Sequence, residues 1–329
     1  MTTLALGRGT TERLLAYARL AKLSFFDYYL SALVAVTLVP SPVRSSGRAW
    51  ATLAVLTAGW VAVVAAAVSL DDVTGYVDGS DQLNYDPRQQ ALRNRSRKPL
   101  LDGHLSVRDA LRFAGLAVLA AAVVLAGAVA IAPHRPAWAA ALVALVLLAG
   151  VQYSYGLRLS YHGGQELVLL VTTGLTVLVP VGLLTGRCPA PALAEAWLFG
   201  LWSLLVSVYS NLNDVEGDRA AGRRTMAVVC SPAAYRGLVG ILICSEPMAA
   251  ALPAALGRAS WWLPVTVAPI LAMHVRQARI GLPGGAGSAG GPGGAGRVAD
   301  PLAARRLGIR AHRWGIAALI AANLLMVNG

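Results

Sequence analysis

The sequence predicts an all-α fold, a polytopic membrane bundle of about nine transmembrane helices, and three observations predict it. Of its 329 residues 56% are hydrophobic and 13% charged, with a mean hydropathy of +0.59. Soluble domains carry about 25% charged residues. Apolar runs of about 20 residues recur along the chain, the length that crosses a bilayer core as a helix. Finally, the basic residues segregate to alternate connections, as cytoplasmic loops retain Lys and Arg. That segregation also disposes of a nucleic-acid reading of the net charge of +12 and the pI near 10.3.

Taken in order, the apolar runs are Leu23–Pro40, Trp50–Leu70, Ala110–Ala132, Ala137–Leu157, Glu166–Leu184, Leu193–Leu212, Tyr235–Leu256, Trp261–Val275 and Trp314–Val327. The first follows a basic, amphipathic segment with Arg8, Arg13, Arg19 and Lys22, and no small-residue cleavage site follows Pro40. It therefore reads as a membrane helix and not as a cleaved leader. The fifth and seventh contain Pro180 and Pro253, which membrane helices tolerate when neighbours satisfy the freed backbone groups. The eighth is short. Between residues 281 and 296 the chain is a Gly/Pro/Ala/Ser tract, expected to be a flexible loop within a single domain of 1–329 because such a composition packs no core. No Lys-Ser/Thr pair follows it, so it is not a phosphate-binding loop of the Walker type.

With the N-terminus inside, all but five of the 28 Lys and Arg residues lie on the cytoplasmic side; the exceptions are Arg44, Arg48, Arg135, Arg187 and Arg258. Asp71, Asp72, Asp78, Asp81, Asp214, Glu216 and Asp218 fall on that same side. Carboxylates at one face, and not at the bilayer midplane, argue against an ion transporter. The three cysteines, Cys188, Cys230 and Cys244, have neither metal-ligand nor disulfide spacing.

The chemistry concentrates in two stretches. Asp214-Val215-Glu216-Gly217-Asp218 ends the sixth run and precedes Arg219, Arg223 and Arg224. On a helix Asp214 and Asp218 are one turn apart and face the same way, an arrangement that calls for a cation between them. Asp72-Val73-Thr74-Gly75 ends the second run, shares the Asp-Val-x-Gly pattern, and precedes Arg95, Arg97 and Lys98. Two similar half-sites across a bundle, acids followed by bases, suit a divalent metal bridging a diphosphate: Mg²⁺ takes one or two carboxylates and completes its shell with water and phosphate oxygens, while Arg and Lys neutralise the rest. Tyr76, Tyr153, Tyr161 and Tyr209 are candidates to line a cavity and stabilise a carbocation through their π faces. Asp27, inside the first run, is expected to face the bundle interior.

Four blocks in order resemble the UbiA superfamily of intramembrane prenyltransferases, and within it the 1,4-dihydroxy-2-naphthoate (menaquinone) branch. They are Asp71-Asp72-Val73-Thr74-Gly75-Tyr76-Val77-Asp78-Gly79-Ser80-Asp81, Lys98-Pro99-Leu100-Leu101-Asp102-Gly103-His104-Leu105-Ser106, Leu159-Ser160-Tyr161-His162-Gly163-Gly164-Gln165-Glu166, and Asp214 to Thr225. The resemblance implies helices around a central cavity capped by Asp motifs, where an isoprenyl diphosphate is ionised with Mg²⁺ and an electron-rich acceptor, aromatic or quinonoid, attacks the cation. By match, Asp72, Asp81, Asp214 and Asp218 are metal ligands, with Asp78 in reserve. Arg97, Lys98, Arg158, Arg223 and Asn211 are assigned to the diphosphate. The pattern departs from the family at Gly75, which stands where the motif has Asp, and at Asp71, which replaces Asn. Those departures keep open a second reading, a UbiA-type terpene cyclase that needs no acceptor. The expected location is a bacterial cell membrane, with the site at its cytoplasmic face.

Overall fold

The computed structural model of the chain describes residues 2–85, 95–282 and 299–328. Among these residues every regular element is helical. Each predicted run contains a helix: α2 (Ser31–Leu38, entered through a 3₁₀ turn at Phe26–Leu30), α3 (Gly47–Val77), α5 (Val107–Ile131), α6 (Ala137–Gln152), α7 (Gln165–Thr185), α8 (Ala190–Asn211), α10 (Pro232–Ala255), α11 (Trp262–Gly281) and α12 (Pro301–Asn328). The basic N-terminal segment forms α1 (Thr2–Leu20), and two short helices, α4 (Ser80–Asn84) and α9 (Val215–Ala220), carry the Asp motifs.

Five of these, α3, α5, α7, α8 and α10, are long and apolar enough to cross a membrane. The protein is an integral membrane protein on this ground. Of the Gly-rich tract only Gly281 and Leu282 lie within the described residues.

The centre of the bundle is the α7–α8 hairpin, whose apolar stretches are more buried than those of the other crossing helices. Backbones approach closely there because Gly174 and Gly200 face the partner helix. A Cβ at Gly174 would stand 2.5 Å from the Ala196 carbonyl oxygen, and one at Gly200 2.2 Å from that of Leu170. Small residues are what membrane helices use where no hydrophobic force drives them together. Around this hairpin, α3 packs on α5 and α6, α6 on α7, and α10, α11 and α12 close the other side, with α12 against both α8 and α2. Leu116, Leu119 and Val123 leave a stripe of α5 exposed on the outer side, at spacings that put them on one face of the helix.

Helix length positions the site. At 1.5 Å per residue α3 extends for about 46 Å, whereas the hydrocarbon core is about 30 Å thick. α3 is therefore longer than the apolar layer it crosses, and Asp71 and Asp72 lie in its last two turns.

The last helix begins thirteen residues before the predicted run. Its first turns carry Arg305 to Arg313; Arg305 lines the cavity, and Arg313 donates to both oxygens of Asp27 at 2.9 and 3.2 Å.

Candidate active site

The first Asp motif is folded back on itself. Adjacent positions on a helix point about 100° apart, so Asp71 and Asp72 face different neighbours. Asp72, buried, accepts from Lys22 Nζ at 2.6 Å and from Lys98 Nζ at 2.7 Å. Asp78 caps α3, Gly79 turns the chain at φ +84°, and α4 brings Asp81 back over the helix. There Asp81 meets Lys98 at 2.8 Å. The space it fills is the one left by Gly75: a Cβ at that position would lie 2.8 Å from Asp81 Cγ. The missing motif side chain is thus matched by the placement of another acid. Burial raises the Asp81 carboxyl to about 6, against the pull of Lys98. Burial also opposes the charge on Lys98, but Asp72 and Asp81 outweigh it and hold its pKa well above the usual range.

The second motif reaches across. Asp218 N donates to the Asp214 carbonyl at 2.8 Å, the helical spacing that sets the two carboxylates on one face. α9 packs on α4. From the loop beyond, buried Arg223 donates to Asp71 Oδ1 at 3.0 Å and places Nε 3.9 Å from Asp78 Oδ2. Ser154, at the end of α6, donates to the same Asp71 oxygen at 2.6 Å. Tyr161 donates its hydroxyl to Asp78, and its ring faces Arg158 at 3.7 Å and Arg223 at 4.8 Å. Asp218 adds its field to Arg223 and Tyr153.

Other predicted residues lie elsewhere. Asn211 is buried between Gln165 and Glu166, accepting from the first at 3.0 Å and donating to the second at 3.2 Å. Arg97 stacks over Phe25 at 5.6 Å and faces a separate pocket beside α1 with Arg19 and His104. Tyr209 is packed in the core against Gly281, and Tyr76 is exposed. The first pair of acids also has a partner that motif reasoning passed over. Lys22 belongs to the turn after α1, at φ +50°, an uncommon backbone for a non-glycine residue. Composition held a signal for it, since Lys22 and Lys98 are the only two lysines in the chain and both bind Asp72.

Below Asp71 an apolar cavity of about 310 Å³ enters the bundle. One stripe of α3, Trp60, Val63, Val64, Ala67, Val68 and Asp71, forms a wall, opposed by Val146 and Gly150 of α6 and by Thr172, Thr173 and Thr176 of α7. Phe25, Tyr28, Tyr29 and Tyr153 supply aromatic faces, and Arg305 joins Asp71 among the lining groups. Of the four tyrosines singled out, Tyr153 lines this cavity.

Asp71, Asp72, Asp78 and Asp81 thus gather with three buried cations, Lys22, Lys98 and Arg223, and Asp218 adds its charge near Arg223. Among the described residues no three acids, histidines or cysteines converge as a preformed metal cage. All-oxygen donors in excess of the cations fit Mg²⁺, which needs only one or two carboxylates when phosphate oxygens complete its shell. The described groups thus suit a metal that arrives with a diphosphate.

Residues 26–283 match the UbiA prenyltransferase family. Over 235 residues the chain is 28% identical to digeranylgeranylglyceryl phosphate synthase of Halobacterium salinarum, covering 71% of this chain and 76% of that protein. The fold superposes on a UbiA homolog from Archaeoglobus fulgidus bound to DMAPP and Mg²⁺ with a TM-score of 0.62, 16% identity, and coverage of 95% and 99%. The same protein bound to GPP and Mg²⁺ gives 0.62 at 14% identity, covering 95% and 100%. The apo UbiA homolog from Aeropyrum pernix K1 gives 0.56 at 16%, covering 94% and 96%. These comparisons uphold the superfamily but not the menaquinone branch, since the curated relative is a glyceryl phosphate synthase. They lend no support to an aromatic acceptor or to a bacterial origin.

Proposed function

The chain belongs to the UbiA prenyltransferase family, and we propose on that premise that it ionises an isoprenyl diphosphate with Mg²⁺ at the joined Asp motifs and transfers the prenyl group to an electron-rich acceptor. The observation that carries this reading is the contact of Arg223 with Asp71 at 3.0 Å, which joins both motifs at the mouth of an apolar, aromatic cavity. Asp72, Asp81, Asp214 and Asp218 would hold Mg²⁺. When bound, the metal neutralises the diphosphate as a leaving group.

The chain's own residues do the rest. Arg223 and Lys98 offer charge-assisted hydrogen bonds to phosphate oxygens. As the allylic C–O bond breaks, its electron pair leaves with the diphosphate and the cation stays in the cavity. There Phe25, Tyr28, Tyr29 and Tyr153 present π faces to it, and the apolar walls keep water out. A nucleophile on the acceptor then forms the new bond to the allylic carbon and gives up its proton to the departing diphosphate. The aromatic or quinonoid acceptor expected from the motifs stands beside a phosphoglyceride-type one, which the name of the Halobacterium relative suggests. We place the site at the cytoplasmic face on the distribution of basic residues.

The test is diphosphate release from farnesyl diphosphate by protein in detergent. Release is expected to require Mg²⁺, and to fall by about 10²-fold or more in Asp72→Asn and in Asp218→Asn, the scale of a lost electrostatic contact to the transition state. Release that survives a chelator, or both substitutions, overturns the reading. The row of aromatic side chains favours cyclisation as a second reading. Incubation with dihydroxynaphthoate, with a glyceryl phosphate acceptor, and with neither separates the two. A cyclic product formed without acceptor replaces transfer by cyclisation and leaves the ionisation step intact.

A further inference from the structure

Beside α1 lies a second pocket, of about 560 Å³, that the reaction above does not use. α1 gives it Leu15, Ala18 and Arg19, spaced i, i+3 and i+4 and so on one helical face. The other side of α1, with Ala16 and Leu20, is buried beside Val73 and Leu105. The turn after α1 adds Lys22 and Leu23, and the chain beyond the first Asp motif returns with Arg97 and His104. Lys22 already serves Asp72 at 2.6 Å and the Arg97 carbonyl at 3.2 Å. The charge facing the pocket is therefore carried by the guanidinium groups of Arg19 and Arg97, with Glu12 the one acid among its described lining residues. Arg19 Nε is buried, and no hydrogen-bond partner for it is found among the described residues. Arg97 stands over the Phe25 ring at 5.6 Å, a contact made by the face of a guanidinium, whose N–H donors lie in its plane.

Two guanidinium forks in one pocket suit a phosphate, which each can meet with paired hydrogen bonds. The apolar residues around them say where that phosphate comes from. Leu14, Leu15, Leu23 and Phe26 are all exposed, and Leu23 opens the first membrane run. A basic helix with such side chains on its surface lies at the boundary between headgroups and acyl chains, and the cytoplasmic leaflet attracts Lys and Arg there through its anionic lipids. We propose that this pocket binds the phosphate of an anionic membrane lipid through Arg19 and Arg97, with the acyl chains along Leu15 and Leu23. None of the motif carboxylates lines it, so it lacks the means to hold Mg²⁺ with a prenyl diphosphate. Lys22 touches both the pocket and Asp72, which puts the lipid one side chain away from the first Asp motif. The inference stands independently of the prenyl diphosphate reading.

The test is a titration of the full chain in detergent, read by native mass spectrometry as lipid molecules bound per chain. The probes are dioleoyl phosphatidate, dioleoyl phosphatidylcholine (the same chains under a headgroup of no net charge) and inorganic phosphate. One phosphatidate per chain is expected to bind about tenfold or more tightly than phosphatidylcholine, the scale of two basic contacts to an anionic lipid. Arg19→Gln combined with Arg97→Gln is expected to abolish that preference. Glu12→Gln removes a repelling charge at an exposed position, and is expected to tighten phosphatidate while leaving phosphatidylcholine unchanged. It keeps the test alive if the arginine variant fails to fold. Equal affinity for the two lipids in wild type, or a preference that no folded variant alters, overturns the proposal. Inorganic phosphate that displaces phosphatidate at equal concentration overturns it as well, by marking a site for the free ion. Farnesyl thiolodiphosphate with Mg²⁺ is expected to bind without displacing phosphatidate; displacement would make the pocket part of the substrate site and sink the lipid assignment. A chain that binds phosphatidate as expected but releases no diphosphate from farnesyl diphosphate upholds the lipid site and sinks only the ionisation reading.

Discussion

At the scale of single residues, Asp81 and Gly75 form one unit. A carboxylate at position 75 would have to share the space that Asp81 fills, and two like charges at contact disfavour ionisation of both. Gly75→Asp is therefore expected to lower kcat/KM for diphosphate release by about 10²-fold, and adding Asp81→Gly to recover at least tenfold of it, a coupling that a double-mutant cycle reads directly. Independent losses that simply add would refute the shared space. Lys98 is a second such case. Its compact ammonium meets Asp72 at 2.7 Å and Asp81 at 2.8 Å, whereas a guanidinium is a larger planar fork. Lys98→Met leaves both acids short of a buried partner and is expected to cost about 3–5 kcal/mol of stability, visible as a lower unfolding midpoint in detergent. An unchanged midpoint would mean that Lys22 alone holds the cluster.

At the scale of elements, the α7–α8 hairpin and the length of α3 decide the architecture. Gly200→Ala places a methyl group against the Leu170 carbonyl and should destabilise the bundle by about 1–3 kcal/mol, the range for overpacking. Equilibrium unfolding in detergent would show it, with KM for the diphosphate unchanged because the glycine faces α7 and not the cavity. An unaltered midpoint would mean that the two helices separate at no cost. The helices themselves were legible because an apolar run of bilayer length is a local property. Their ends were less so. The last run was placed from Trp314, yet α12 begins at Pro301 and carries Arg305 and Arg310, since a helix carries charge wherever side chains find partners or solvent. Conversely, Phe26–Leu38 is one of the shorter apolar helical segments, and its apolar run predicted more helix than forms.

At the scale of the whole molecule, both acid motifs and the basic loops lie at one end of an antiparallel bundle. The native cysteines report its orientation. Cys188 is exposed in the connection between α7 and α8, at the end away from the motifs, and Cys230 precedes α10 at the motif end. In single-cysteine variants an impermeant maleimide should label Cys188 from outside intact cells and Cys230 in inverted vesicles. The opposite pattern would place the acids outside and contradict the charge-based topology.

By itself the sequence determined the class of the protein, the positions of the membrane helices, the two acid motifs and their family. Each of these follows from composition, run length or short spacing, which neighbouring residues set among themselves. The tertiary structure decided which charges meet and which side chains line the cavity. Lys22 binds Asp72 across 50 positions and Arg223 binds Asp71 across 152, while Asn211 and Tyr209 turn into the core although they flank the second motif. Helix rotation and crossing set which side of each helix faces inward, and spacing along one chain does not contain them.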